Sequence, residues 1–436
     1  MRTVNHPSAL FQKLPVKLTT LLRAIGRLAD AQHVKVYLVG GTVRDLILGR
    51  RNFDLDLAVE GDGPALARRI AARYHTSLTV FDRFATARLQ FPKSLSMDIA
   101  TTRRESYALP AELPNVQPAS LADDLYRRDF TINAMAVQLN GGRAGRLIDC
   151  YGGGDDLRTR TIRVLHEKSF LDDPTRIFRA IRFEQRFNGR MEPQTSRLLV
   201  EAAATDLIDR LSGPRLRQEW FLLFAERDPL RAMDRVNSLK LMRFLHPELR
   251  YGGLVRRVLR TLPGAIAWWE KRYPSCVIDR SVLYLMGLLI ASDDSVVKGV
   301  LGRLMLSREQ ARRLRFTGLL LASVAGRLAE RKNIPSSQLY RLLDPLPDEA
   351  LVLSLAAVVA KSNRSKSGRA RRRLTRFIGR LRGIKLSLRG NDLLRLGMKP
   401  GPQMTELLSR LRDARLDGIV RTRADEQTLV RAWLNA

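Results

Sequence analysis

Two periodicities divide the chain. Between residue 34 and about residue 165, short runs with apolar and polar positions alternating alternate with stretches at helical spacing. From Glu167 onward the two-residue period disappears and only helical spacing remains. In the first part, residues 18–31 predict a helix, and residues 36–59 predict a strand, a Gly40-Gly41 turn, a short helix and a second strand beginning near Asp54. A helix over 62–74 and extended runs at 78–81, 86–91 and 95–99 follow. Residues 101–122 carry Pro110, Pro114 and Pro118 with little periodicity and read as a loop. Residues 146–157 read as a strand ending in a glycine turn that closes the domain. The expectation is an α+β chain: a small mixed-sheet head followed by helices.

In the second part, Asp172-Asp173-Pro174 reads as an acidic helix start. Asp173 and Arg176, three apart, are expected as neighbours on one face of that helix, with Arg179 and Arg182 continuing the spacing. Residues 213–360 are amphipathic helices punctuated by Pro and Gly, and Trp220, Trp268 and Trp269 fall within apolar segments and are expected in the core. Residues 351–360 suit a buried helix. The boundaries expected are 1–166 for the head with its leading helix, 167–212 for a helical neck, 213–360 for a body and 361–436 for a tail.

Charge changes the picture more than composition does. The 436 residues include 76 Lys and Arg against 44 Asp and Glu, a net charge of +32, which points to a polyanionic partner, nucleic acid ahead of a membrane. Residues 361–390 alone hold 12 basic and no acidic side chains. Within them Arg371, Arg372 and Arg373 lie in an amphipathic basic helix suited to RNA phosphates or to a membrane surface, RNA being favoured. Two cysteines and five histidines assemble no zinc spacing or disulfide framework. Residues 1–15 lack an apolar signal core and no apolar run reaches the ~18 residues of a membrane span, so a reducing cytoplasm is expected.

The candidate chemistry sits between residues 36 and 59. Residues two apart on a strand share a face, so Asp54 and Asp56 emerge side by side while Leu55 and Leu57 point into a core. Two carboxylates so placed can hold Mg²⁺, and a Gly-Gly turn entering a helix lets backbone N–H groups approach an anion. The same alternation at 95–99 puts Asp98 opposite Leu95, Met97 and Ile99, a third carboxylate on a neighbouring strand.

The string LVGGTVRDLILGR followed by DLD resembles the nucleotidyltransferase superfamily of DNA polymerase beta, and within it the class II tRNA nucleotidyltransferases and bacterial poly(A) polymerases. The resemblance implies template-independent RNA extension by two-metal phosphoryl transfer, with Asp54, Asp56 and Asp98 catalytic, Asp54 and Asp56 on Mg²⁺, and Gly40, Gly41 and Arg44 at the nucleotide. The family's acidic residue and Thr-Arg element correspond to Asp98 and Arg103. The string RRDFTINAMA implies that Arg128 and Asp129 bind nucleotide, Asp129 accepting from ribose hydroxyls. DDPTRIFRAIRF resembles the nucleotide-selecting helix, in which Asp173 and Arg176, with Arg179 beyond, present acceptors and donors to the base of ATP or CTP; Asp172 stands where the family commonly has Glu.

Residues 390–418 resemble the family's tail motif, with Lys399 and Gly401 in a turn suited to clamp a phosphate, although Thr405 replaces the usual Gly. The stretch 107–126 contains no basic residue and is nearest to relatives that add only A. The implied activity is therefore addition of AMP, or CMP, to the tRNA 3′ end, a partner nucleotidyltransferase supplying the other nucleotides. A poly(A) polymerase with the same head is the alternative, and a non-catalytic RNA-binding protein the alternative from another class.

Overall fold

The computed structural model describes residues 13–50, 54–92, 95–108, 110–112, 114–317, 319–361 and 364–435. Residues 1–12, the greater part of the segment read as lacking a signal core, lie outside the described residues. Among the described residues no helix is long and apolar enough to cross a membrane. The chain forms two compact units, 1–241 and 242–436.

The first unit begins with α1 (Val16–Asp30), β1 (Lys35–Val39), α2 (Gly41–Ile47), β2 (Asp54–Glu60) and α3 (Gly63–Tyr74). Then come β3 (Ser77–Phe81), β4 (Thr86–Gln90), β5 (Ser96–Thr101), β8 (Met135–Gln138) and β9 (Leu147–Asp149) of one seven-stranded sheet ordered β3-β4-β5-β2-β1-β8-β9. Within this sheet, among the described residues, only the β2–β5 pair is parallel. The alternation in β2 and β5 sends Leu55, Leu57, Met97 and Ile99 into the core beside Leu66 and Ile70 of α3. On the opposite face Tyr37, Val39 and Ala58 pack with Leu121 and Leu125. Gly26 lets α1 approach the sheet: a Cβ there would meet the Leu139 carbonyl oxygen at 2.4 Å.

The segment read as a loop is structured instead. β6 (Arg103–Ser106) pairs antiparallel with β7 (Asn115–Pro118), and α4 (Leu121–Tyr126) opens on a Ser120–Asp123 capping box. Prolines disguised the ribbon because they supply no ladder N–H; Pro118 is tolerated as the last residue of an edge strand. The strand and glycine turn expected near 146–157 are β9 and Gly152, followed by α5 (Gly153–Thr159) and β10 (Thr161–Ile162).

The helical part of this unit comprises α6 (Ser169–Asp172), α7 (Thr175–Arg186), α8 (Pro193–Ala204), α9 (Gly213–Phe224) and α10 (Pro229–Ser238), with β11 (Arg190–Met191) pairing to β10. Trp220 of α9 is fully buried against Phe178 of α7.

In the second unit α11 (Gly253–Arg272) packs on α17 (Asp348–Lys361), whose residues 350–358 are buried on every side, as their continuous apolar run requires. Around them lie α12 (Arg280–Leu288), α13 (Asp294–Arg303), α14 (Arg308–Leu314), α15 (Leu319–Ala329) and α16 (Ser336–Leu343). Trp269 is fully buried and donates to the Cys276 carbonyl, whereas Trp268 is only half-buried, edge-on to Tyr273. The basic α18 (Arg364–Arg376) packs on α17, and α19 (Gly390–Arg395), α20 (Pro402–Asp417) and α21 (Arg423–Leu434) share a small core of Leu388, Leu393, Leu407, Leu411 and Val430.

Candidate active site

β1 delivers the chain to Gly40 at φ 71°, a left-handed conformation that favours glycine. A Cβ there would lie 3.0 Å from Arg128 Nη1 and 3.5 Å from Asp56 Oδ2, so glycine allows the cation and the carboxylate to converge on the turn. The Thr42 hydroxyl donates to the Asp54 carbonyl, fastening the start of α2 to β2. Asp54 and Asp56 share the face of β2 opposite its core residues, as the alternation predicts, and Ser96 Oγ donates to Asp54 Oδ1 at 2.7 Å. Burial pushes the Asp56 carboxyl up to about 6; Arg128 works against the rise, and Asp98 and Asp54 add to it as like charges.

Asp98 is the register partner of Asp56 and lies on the same sheet face, but it is engaged by Arg88 of β4, whose Nε and Nη2 reach its two oxygens at 2.7 Å each. Among the described residues no three His, Cys, Asp or Glu side chains are gathered in a group able to hold an ion, so the expected trio is present on one face without being drawn together. Arg88 was missed in the sequence, although alternation in β4 sets Thr86, Arg88 and Gln90 apart from buried Ala87 and Leu89. Arg103 is also tied within the head, donating to Glu105 and to the Phe84 carbonyl.

The RRD string follows α4. Arg127 donates to Asp124 and Glu105, and Arg128 Nη2 to Asp124 Oδ2 at 3.0 Å, while Arg128 Nε is buried without a protein acceptor. Asp129 departs from the ribose role. Its Oδ2 accepts Arg179 Nε and Nη2, and its Oδ1 accepts Asn133 Nδ2 and the Phe130 N–H. Four donors fill the roughly four lone-pair directions of a carboxylate, so Asp129 anchors Arg179 in this arrangement and has no acceptor left for a sugar. Burial would raise this carboxyl, but Arg179 and Asn133 bring it down to about 2.

Asn133, also missed, links onward: its Oδ1 accepts Arg44 Nη1 at 2.7 Å. Arg44 is buried, bonded to Asp45 and lies 5.3 Å from the ring centres of both Phe183 of α7 and Phe187, which caps that helix. Its guanidinium thus ties the Gly-Gly helix to α7 while lining the cleft.

Asp173 does not share a helix face with Arg176. It precedes Pro174, which disfavours helical backbone, and at φ −137°, ψ 96° it lies in the turn between α6 and α7. Its Oδ1 accepts from the Thr175 N–H and hydroxyl and from Arg215 Nη2 at 2.9 Å. Arg176 is buried and donates to Ser169 Oγ and the Arg127 carbonyl. Arg215 arrives from α9 with no local pattern to announce it. Asp54, Asp56, Arg128, Asp173, Arg176 and Arg179 nevertheless line one cleft of about 590 Å³, with the Gly40-Gly41 backbone at its wall. Seven arginines and five carboxylates line it, and Glu105, Asp129 and Asp173 among the carboxylates are already bonded to arginines.

Of the tail residues, Arg371 and Arg372 are exposed on α18. Arg373 differs: its guanidinium donates to the carbonyls of Arg327, Leu328 and Lys332, satisfying the end of α15 instead of facing RNA. Lys399 is exposed, Gly401 is the residue that caps α20, and Thr405 is exposed in its first turn.

Residues 36–163 match the family model described as the poly A polymerase head domain, and residues 190–251 the one described as a probable RNA and SrmB-binding site of polymerase A. The chain is 39% identical over 420 residues to the A-adding tRNA nucleotidyltransferase of Geobacter sulfurreducens, covering 95% of this chain and 47% of that one. The chain thus spans about half the length of that relative. It is 30% identical over 417 residues to the A-adding tRNA nucleotidyltransferase of Halalkalibacterium halodurans, covering 95% and 92% of the two chains. The Thermotoga maritima CCA-adding enzyme complexed with tRNA-CCA matches at a TM-score of 0.78 and 34% identity, over 100% of both chains. A DLD strand after a Gly-Gly turn, an arginine-lined cleft and these relatives together establish that the chain belongs to the class II tRNA nucleotidyltransferase family.

Proposed function

We propose that the chain adds AMP from ATP to the 3′ end of tRNA already ending in CC, without a template. The observation that carries this reading is the cleft in which Asp54 and Asp56 face a wall of arginines, since polyphosphate requires cations and a bridging metal requires paired carboxylates. The choice of A over C follows relatives whose names specify A addition, and the stretch 107–126 without basic residues.

Asp54 and Asp56 fit a divalent ion: two oxygen donors on one strand face, one of them half-buried beside like charges that a cation would offset. When bound, Mg²⁺ lowers the pKa of the attacking hydroxyl and neutralises the departing pyrophosphate. The residues of the chain do the rest. Arg128 and Arg179 line the cleft for the phosphates, Arg179 held in place by Asp129. Asp173 and Arg176 offer acceptors and donors to the base edge, a combination that suits adenine or cytosine and opposes guanine or uracil. The exposed Arg371, Arg372 and Lys399 give the second unit charge for the tRNA backbone. A cytoplasmic location, and a partner nucleotidyltransferase that makes the CC end, complete the proposal.

The test offers tRNA transcripts ending at the discriminator base, at C or at CC, with each nucleotide and Mg²⁺, and sequences the products. One A on the CC-ended transcript supports the proposal. CC or CCA on the shorter transcripts overturns the A-only assignment, and long A tails replace it with a poly(A) polymerase.

A further inference from the structure

A second cavity of about 640 Å³ adjoins the nucleotide cleft, and Glu105, Tyr107, Arg127 and Arg176 line both. Its chemistry differs from its neighbour's. The charges along it are largely matched in pairs: Arg104 bonds Asp123 at 3.0 Å, and Arg127 and the Tyr107 hydroxyl both bond Glu105. Three aromatic rings line it, Tyr107, Tyr126 and His166, the last two with centroids 5.3 Å apart and planes tilted by 37°. Tyr126 is 46% exposed, unusual for a side chain of its size, and is backed by Tyr151, whose hydroxyl is fixed on the Ala122 carbonyl. Burial lowers the His166 imidazole to about 4, with Arg176 and Lys168 acting in the same direction, so the ring is neutral at pH 7.

A cavity with matched charges and a partly exposed aromatic pair is a poor site for a polyphosphate and a good one for a planar, neutral base, because stacking uses the π-face and needs no net charge. Its volume lies within the ~300–1,000 Å³ of small-molecule sites. Lys168, exposed at its edge, supplies a cation for a flanking phosphate. We propose that this second cavity seats the unpaired terminal base of the RNA acceptor, stacked on Tyr126 and His166, so that the chain end crosses the wall of four shared residues into the nucleotide cleft. The proposal rests on the RNA-extending reading above. It assigns acceptor recognition to Tyr126 and His166, on α4 and the segment before α6, apart from the strand carboxylates.

The test compares the full chain with Tyr126→Ala, Tyr126→Phe and His166→Ala. In the absence of nucleoside triphosphate, a hairpin RNA ending in 2-aminopurine is titrated with each protein; steady-state kinetics on CC-ended RNA follow. Stacking worth ~1–3 kcal/mol per base corresponds to roughly 5- to 150-fold. The expected result is strong quenching of the 2-aminopurine by the parent and Tyr126→Phe, weak quenching by Tyr126→Ala, and a KM for RNA raised about tenfold or more in Tyr126→Ala and His166→Ala with the KM for ATP unchanged. Equal quenching by all four proteins overturns the proposal, and so does a rise confined to the KM for ATP, which would give the cavity to the nucleotide. If the parent extends no RNA yet quenches in a Tyr126-dependent way, the base site stands and the extension reading falls.

Discussion

Arg88 grips Asp98 through both carboxylate oxygens at 2.7 Å, and Asp98 stands directly across from Asp56 in the parallel β2–β5 pairing. The strand geometry expected of a carboxylate trio is therefore present, but one member is neutralised by a cation from the next strand. Arg88 and Asp98 are both largely exposed, so the coupling is modest. Arg88→Ala removes a positive charge beside the Asp54/Asp56 pair and is expected to lower the Mg²⁺ concentration for half-maximal activity by about fivefold, the equivalent of ~1 kcal/mol for one nearby charge in a wet site. A Mg²⁺ titration of nucleotide incorporation reads this directly; a higher requirement would show that Arg88 organises the site for the metal instead of competing with it.

Asp129 is buried and holds Arg179, whose side chain is 34% exposed, so removing either one leaves the other without its partner. Asp129→Ala is expected to lower stability by about 1–3 kcal/mol, and adding Arg179→Ala to recover part of that loss. Urea unfolding of the two single variants and the double variant measures the coupling. Additive losses would mean that the pair does not act as a unit.

Arg215 of α9 holds Asp173 at 2.9 Å, and Asp173 and Arg176 are the pair proposed to select the base. Arg215→Ala is expected to leave stability within about 1 kcal/mol and to reduce the ratio of kcat/KM for ATP over GTP about tenfold, since Asp173 loses the contact that orients it. An unchanged ratio would remove Asp173 from base selection.

His166 links stability to acid. Its folded value of about 4 lies below the ordinary 6.5, so the unfolded chain binds the proton first as pH falls. The His166 contribution is complete above about pH 6.5 and is lost progressively as pH drops toward 4, by up to roughly 3 kcal/mol. Burial raises the neighbouring Asp172 carboxyl, which acts with the opposite sign. The His166 part is isolated as the difference between the parent and His166→Asn: the gap in urea midpoint is expected to narrow between pH 7 and pH 5. A constant gap would contradict the assignment.

How far the residues announced the site depends on how local the signal was. Alternation in β2 and β5 was sufficient to put Asp54, Asp56 and Asp98 on one face, because a strand's side-chain period admits no other outcome. Helical spacing misread Asp173, since Pro174 takes the residue before it out of the helix. The β6–β7 ribbon was hidden by its prolines, and Arg373 by its partners, carbonyls more than 40 residues earlier that no pattern around position 373 records. Arg88 is legible from the alternation of β4, which sets it on the face away from buried Ala87 and Leu89. Arg215 and Asn133 act through contacts made only once the chain has folded, so nothing near them in the sequence marks them.

In the proposed reaction Asp54 and Asp56 catalyse transfer of a single AMP to CC-ended RNA. The most direct measurement is single-turnover extension of a CC-ended tRNA by ATP and Mg²⁺ with the parent, Asp54→Asn and Asp56→Asn, alongside RNA affinity in the same buffer. The expected result is one added A with the parent, a rate at least a thousandfold lower in either variant, about 4 kcal/mol of barrier, and RNA affinity within about twofold throughout. Extension at the parent rate by either variant would contradict it.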